Sequence, residues 1–546
     1  MAALLLVQPF LLRAQSSASI PHLAVRHGAA QIVVDGQPFL VRGGELENST
    51  ASSLPYLNTL WPKFVAMHFN TLIAPVYWQL IEPQEGHFDF TTVDGLIRGA
   101  RANHMHLVLL WFGSWKNSMS CYVPDWVKEN EQRFPRAELP DGRGLEILSA
   151  LSGNNLNADS AAFVALMKHL RAIDSADRTV LMIQVENEIG MIPKARDYSP
   201  AANAAFNAPV PAALTSYLAA RRDTLAAALR QAWEGHGSRF GADWTDTFGP
   251  GPMTDELFNA WIEARYTDKV AVAGKAVYSL PMYVNAALIR PGRLPGQYPS
   301  GGPLPHLFDI WRAAAPAINF FAPDIYFPNF VEWANRYQRP DNPLFIPESG
   351  RADAANLGAD AFYAYAQLDA VGFSVYAPEF LSADDQKTLG QAYSVLDQLT
   401  PLIVANQGTG RLIGIRTRTN FDGTEDLKPQ QFTLGGFAFA ARFTQPNPVA
   451  IGAHAEPPIP GAHGGLILQL GPSDYLVAGT GMILTFSVPG SSQQQAGIDS
   501  IREGKFVNGV WTPGRNLNGD DDNQGRWLTL PPGSFTIRLV KLYRYR

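Results

Sequence analysis

This sequence predicts a (β/α)8 TIM barrel followed by a C-terminal β-sandwich domain, on three observations. Eight short apolar runs recur along the first 376 residues, most of them followed by a helical pattern. Two of those runs end in glutamates, as strands do at the catalytic face of such barrels. Near residue 404 the texture changes to short alternating segments separated by Gly/Pro turns.

The strand candidates are Phe39–Gly44, Thr71–Tyr77, Leu107–Phe112, Val180–Val185, Met282–Ala287, Asn319–Ile325, Leu344–Pro347 and Gly372–Tyr376. Runs so uniformly apolar fit parallel strands covered on both faces. Between them, Ala161–Ile173 and Ala355–Leu368 place apolar residues three and four apart, as an amphipathic helix requires, with Asp159 and Asp353 at the expected cap positions. Before the barrel, Gln31–Pro38 with its Asp35-Gly36 turn predicts a small hairpin on the barrel's lower face.

The connection from Gly190 to Leu280 is far longer than the two to six residues usual in such folds. It holds helical patterns around Ala212–Trp233 and Met253–Val277, with Trp244–Pro252 expected as a rim loop. Such an insertion would either extend a binding site at the rim or serve packing alone. The expected boundaries are a possible signal peptide over 1–19, a barrel over 20–403 with the insertion at about 190–280, and a sandwich over 404–546. The apolar stretch Met1–Leu12 before Arg13-Ala14-Gln15-Ser16-Ser17-Ala18 is similar to a secretory h-region and cleavage zone without the positive n-region. It implies a periplasmic or secreted protein.

Composition excludes several classes. At 546 residues, 46% hydrophobic and 17% charged, the chain is globular and exceeds one ordinary domain. A net charge of -6 without a long basic run argues against nucleic acid as the partner, and no membrane partner is indicated. The single cysteine, Cys121, excludes intrachain disulfides and multi-cysteine metal sites. His104 and His106 fall at the non-catalytic end of a strand. The acidic turn Asn518–Asp522 lacks the ligand spacing of a calcium loop. No cofactor is called for.

Chemistry concentrates in Ile183-Gln184-Val185-Glu186-Asn187-Glu188-Ile189-Gly190, where an apolar strand ends in two carboxylates flanking an amide. One acidic residue there would read as a solvated loop; three such groups in succession point to a site. Pro343-Leu344-Phe345-Ile346-Pro347 delivers a further carboxylate, Glu348. Glycoside hydrolysis needs two carboxyl groups on one bond, about 5 Å apart for retention and about 6.5–9.5 Å for inversion. Strand-end residues of one barrel can supply them.

Glu186-Asn187-Glu188 resembles the acid/base motif of glycoside hydrolase family 35, the β-galactosidases, within a wider clan whose acid/base glutamate follows an asparagine. Trp78-Gln-Leu-Ile-Glu82-Pro-Gln-Glu-Gly-His-Phe-Asp-Phe90 and Val123-Pro124-Asp125-Trp126 are similar to the family's signatures after the second and third strands. The flanks of Glu348, together with the C-terminal part, look like a bacterial branch carrying a C-terminal β domain. The resemblance spans about Phe39 to Glu379. It implies a retaining exo-β-galactosidase with Glu188 as acid/base, Glu348 as nucleophile and Asn187 on the sugar 2-hydroxyl. Tyr326 resembles the clan's tyrosine beside the nucleophile. Glu45, Trp78, Trp115, Asn117, Tyr376 and Glu379, at other strand ends, are candidate substrate contacts. The expected partner is a β-galactoside oligosaccharide or polysaccharide. The alternatives are a clan relative acting as β-glucosaminidase or β-arabinosidase, and a sugar-binding barrel without catalysis.

Overall fold

The computed structural model describes residues 20–350, 354–445, 456–490 and 493–546. The stretch read as a signal peptide, Arg351 and the cap expected at Asp353 lie outside them. Eight parallel strands form the barrel: Val41–Glu45, Thr71–Tyr77, His106–Lys116, Val180–Asn187, Met282–Ala287, Phe320–Ile325, a seventh in two pieces (Phe345–Ile346 and Glu348–Ser349), and Gly372–Tyr376. The seventh strand closes the ring through both pieces. Its first half pairs with the eighth strand and its second half with the sixth. The break falls at Pro347, which has no N–H to give to a ladder.

Each predicted strand is present, with small shifts at the ends. Phe39 belongs to the preceding hairpin rather than to the first barrel strand, and the third strand runs on to Lys116. The second and fourth strands are buried along their whole length, which is why they read as unbroken apolar runs. The N-terminal sheet (His22–Arg26, Ala29–Val34, Gln37–Phe39) turns at Asp35 and Gly36, both with positive φ. It caps the lower face: Phe39 meets the ring of His106 edge-on at 4.8 Å, and Asp35 pairs with Arg178 just before the fourth strand.

The helix expected from Ala161 starts earlier, spanning Gly153–Asp174, because the Ser152 hydroxyl caps it by accepting from the Asn155 N–H at 3.2 Å. Asp159 is therefore no cap. It sits buried inside the helix and accepts from Trp111 Nε1 (2.8 Å) and Ser114 Oγ (2.7 Å). The insertion forms helices Pro200–Phe206, Ala212–Arg221, Ala227–Glu234 and Trp244–Phe248 before the long helix Pro252–Lys275. The expected rim loop at 244–252 opens instead as a short helix capped by Asp243, and Trp244 packs on Phe258 of the long helix at 5.4 Å. Apolar side chains at this position favour packing over a solvated loop.

Beyond the helix Ala383–Asn406, two antiparallel sheets share a second core that includes Ile415, Phe439, Tyr475, Leu484 and Leu528. One has six strands and the other four. The six-stranded sheet also leans on the barrel's last helices. Phe535 stacks on Phe362 at 5.4 Å, and buried Arg416 donates to Asp360 at 2.8 Å. A separate two-stranded hairpin, Arg418–Thr419 with Glu425–Asp426, projects beside the barrel rim. Among the described residues, no helix is long and apolar enough to cross a membrane.

Candidate active site

The C-terminal strand ends bring four carboxyl groups together: Glu45 from the first strand, Glu188 just past the fourth, Asp324 from the sixth and Glu348 from the seventh. All four are buried. Asp324 and Glu348 are register partners, so they stand side by side on the same face. Ligand oxygens of Glu188, Asp324 and Glu348 lie within 4.8 Å of one another. Among the described residues these three form the one cluster geometrically able to hold a metal ion, and the acidic turn at 518–522 forms none.

The backbone explains how Glu186 and Glu188 part company. Both have positive φ, 61° and 44°, which breaks the simple alternation of the strand. Glu188 enters the cluster, its N–H held by Asn285 Oδ1 at 2.9 Å and its carboxylate accepting from Asn117 Nδ2. Glu186 points away, accepting from the Trp115 N–H at 2.7 Å beside Asp159.

Three donors converge on Glu348. Tyr326 Oη gives 2.6 Å to Oε2, while Asn187 Nδ2 and Asn285 Nδ2 each lie 3.3 Å from Oε1. That surrounding suits a carboxylate carrying negative charge. Four crowded buried carboxyl groups cannot all ionise. Burial, reinforced by the neighbouring Glu348 charge, pushes Glu188 up to about 7, against the opposing pull of Lys116. Burial and then Glu348 likewise hold Glu45 and Asp324 well above the usual carboxylate range. Side-chain hydrogen bonding toward Glu188 and toward Glu348 adds to the rise at Asp324 and at Glu45 respectively. The result is one group poised to exchange a proton near neutrality beside one anchored by donors. Asn187 Oδ1 and Asp324 Oδ1 are buried without a protein partner, so a ligand rich in hydroxyls would satisfy them.

Residues 63–268 match the glycoside hydrolase family 42 model, described as "Beta-galactosidase". The matching family is thus 42, a different family from the family 35 that the motifs resemble. Its span includes Glu188 and stops short of Glu348. Residues 389–529 match DUF5597, a domain of unknown function. No curated protein matches the chain. Similar solved structures include a β-galactosidase from the psychrophilic Marinomonas ef1 (11% identity, TM-score 0.47, covering 66% of this chain and 60% of that one). Another is the β-galactosidase of the Antarctic haloarchaeon Halorubrum lacusprofundi (16%, 0.44, 66% and 58%). A third is the catalytic domain of β-amylase from Paenibacillus polymyxa (10%, 0.45, 65% and 98%). The chain spans about three fifths of the length of the β-galactosidase structures it matches.

Of the residues singled out from sequence, Glu45, Asn117, Asn187, Glu188, Tyr326 and Glu348 meet in this cluster. Tyr376 stands at its edge, its ring 5.8 Å from that of Tyr326. Three others are elsewhere. Trp78 is fully buried, with Nε1 donating to Glu82 Oε2 at 2.8 Å and its ring edge-on to Trp126. Trp115 is buried against Tyr266 at 4.6 Å and donates to the Leu148 carbonyl. Glu379 accepts from Thr50 Oγ1 (2.6 Å) and the Glu47 N–H (3.0 Å), tying the eighth strand's loop to the first. In the two tryptophans, hydrogen bonds and ring contacts made within the fold occupy the indole, whereas Glu379 is held through Oε1 alone and its buried Oε2 has no protein partner.

Sequence reasoning missed Asp324, Asn285 and Lys116. A usable signal existed for two of them. Asp324 stands two residues before Tyr326 at the end of an apolar strand, and Asn285 is the lone polar side chain between Val284 and Ala286. Among the described residues, none of the hydrogen bonds to Glu188, Asp324 or Glu348 comes from the insertion. Its helices pack on the outer helices Pro252–Lys275 and Phe308–Ala314, with the Ala226 N–H on Asp309.

Proposed function

We propose that the protein is a retaining exo-β-galactosidase acting on terminal β-D-galactosyl groups of oligosaccharides or plant-wall side chains. The observation that carries this reading is the pairing of Glu188, poised near neutrality, with Glu348 held by three donors. Their close approach suits the short separation of a double displacement rather than one that leaves room for water. The family 42 match over the barrel's first half supports the choice of sugar.

In this mechanism Glu348 attacks the anomeric carbon while Glu188, protonated, delivers its proton to the departing oxygen. Tyr326 and Asn285 hold the attacking carboxylate in line. Asn187 reaches the 2-hydroxyl, in a bond that strengthens as the ring becomes cationic. Once the glycosyl ester forms, the Glu348 charge is gone, and with it one of the causes that raise Glu188. Glu188 then ionises more readily and draws a proton from water.

A panel of nitrophenyl glycosides tests the assignment. Hydrolysis of the β-galactoside above the β-glucosaminide and arabinoside supports it, preference for another sugar reassigns the specificity, and turnover of none leaves a binding barrel. The pH profile adds a second check. Glu188 works as the protonated acid, so kcat/KM should fall as pH rises through about 7. A rate constant flat from about pH 4 to 9 would count against the pair.

A further inference from the structure

Beside the carboxyl cluster, a recess of about 530 Å3 opens between the barrel rim and the C-terminal sheets, lined in part by Tyr326, Phe327, Gly350, Asp360, Arg416 and Glu425. It is within the size range of small-ligand sites. Tyr326 belongs to both places. Its hydroxyl bonds Glu348 at 2.6 Å while the residue remains 44% exposed, so the recess begins where the nucleophile's support ends.

The opposite wall comes from the projecting hairpin. Phe421, at its tip and 37% exposed, meets Phe327 edge-on at 5.2 Å. The turn presenting it is fixed: the Asn420 N–H reaches the Thr424 carbonyl at 2.8 Å, and the Thr424 N–H reaches Asp422 Oδ1 at 2.9 Å. Gly423, at φ +88°, supplies the left-handed residue this turn needs. Inside the recess, Arg416 is paired with Asp360 at 2.8 Å and also donates to Asn356 at 2.8 Å. Its charge is matched by Asp360, and Glu425 adds a further carboxylate to the lining, so what the recess offers a ligand is hydrogen-bond acceptors and aromatic surface. Those are the features a neutral, polyhydroxylated chain uses.

We infer that the 420–424 turn and the loop after the sixth barrel strand bind the sugars on the leaving-group side of the substrate, making the C-terminal part a determinant of chain-length preference. This rests on the galactosidase reading above. Binding energy gathered there would be expressed at the reacting bond, so that longer substrates turn over with higher kcat/KM.

The test compares p-nitrophenyl β-galactoside with β-1,4-linked galactobiose, galactotriose and galactotetraose on the full chain, on Phe421→Ala, which removes the ring packed against Phe327 of the lining, and on Thr419→Arg, which fills the recess. In the unaltered protein kcat/KM should rise about tenfold from the dimer to the tetramer. In both variants the ratio of tetramer to aryl galactoside should fall about tenfold, with melting temperatures close to the parent's. No gain with chain length in a protein that cleaves the aryl galactoside overturns the inference. So does a loss in both variants that is proportional on all substrates. An unaltered protein inert on the aryl galactoside instead removes the galactosidase reading itself.

Discussion

Glu348→Gly should lower turnover of an aryl β-galactoside by about 10⁴-fold or more, because no other carboxylate is placed to attack the anomeric carbon. Glu45 and Asp324 stand close by, but burial and the neighbouring charge hold both carboxyls well above the usual range, and Asp324 also accepts from Asn285 at 2.7 Å. Azide can then enter only through the space the side chain leaves, on the face opposite the leaving group, and should yield the α-galactosyl azide. Near-native hydrolysis by this variant would remove Glu348 from the role. An α-azide from Glu379→Gly alone would move the nucleophile to the eighth strand. The hydrogen bonds of Glu379 to Thr50 and Glu47 predict that its loss disturbs stability rather than chemistry.

Glu188→Ala should act selectively. Substrates with poor leaving groups lose roughly 10²- to 10⁴-fold, the usual worth of a positioned general acid, while activated aryl galactosides keep the first step because their leaving group needs no proton. Deglycosylation then limits turnover. Azide, which needs no general base, should accelerate it and give the β-galactosyl azide by attack on the intermediate. Opposite anomers from the two variants assign both roles, and the limb near pH 7 should vanish from the Glu188→Ala profile. If lactose and the aryl galactoside lose equally, Glu188 is not the acid.

The barrel was legible in the sequence because a strand covered on both faces must be apolar throughout, and eight such runs stand out among helical patterns. Glu188 and Glu348 were legible for the converse reason: a carboxylate ending such a run has no packing purpose. Asn285 and Asp324 were harder to see, since one polar side chain in a strand becomes informative only when its register partner is known. Trp78 and Trp115 lie outside the carboxyl cluster, which the chain alone does not reveal, because an indole that closes a core and one that receives a sugar look alike along it. What separates them is the partner of Nε1, Glu82 in one case and the Leu148 carbonyl in the other. Glu379 likewise stands apart from the cluster, tied through Oε1 to Thr50, which lies 329 positions away in the chain.

The left-handed backbone at Glu188 sets durability against chemistry at one position. An L-residue at φ 44° forgoes ~1 kcal/mol that glycine would not, and a carboxyl buried there adds a further cost as pH rises through about 7 and forces its ionisation. A library randomised at codon 188 and selected only for survival at high temperature and mildly alkaline pH should therefore enrich glycine, discarding the acid in favour of a longer-lived but inert barrel. Recovery of glutamate as often as glycine from such a selection would mean that the hydrogen bonds from Asn117 and Asp324 outweigh the conformational penalty.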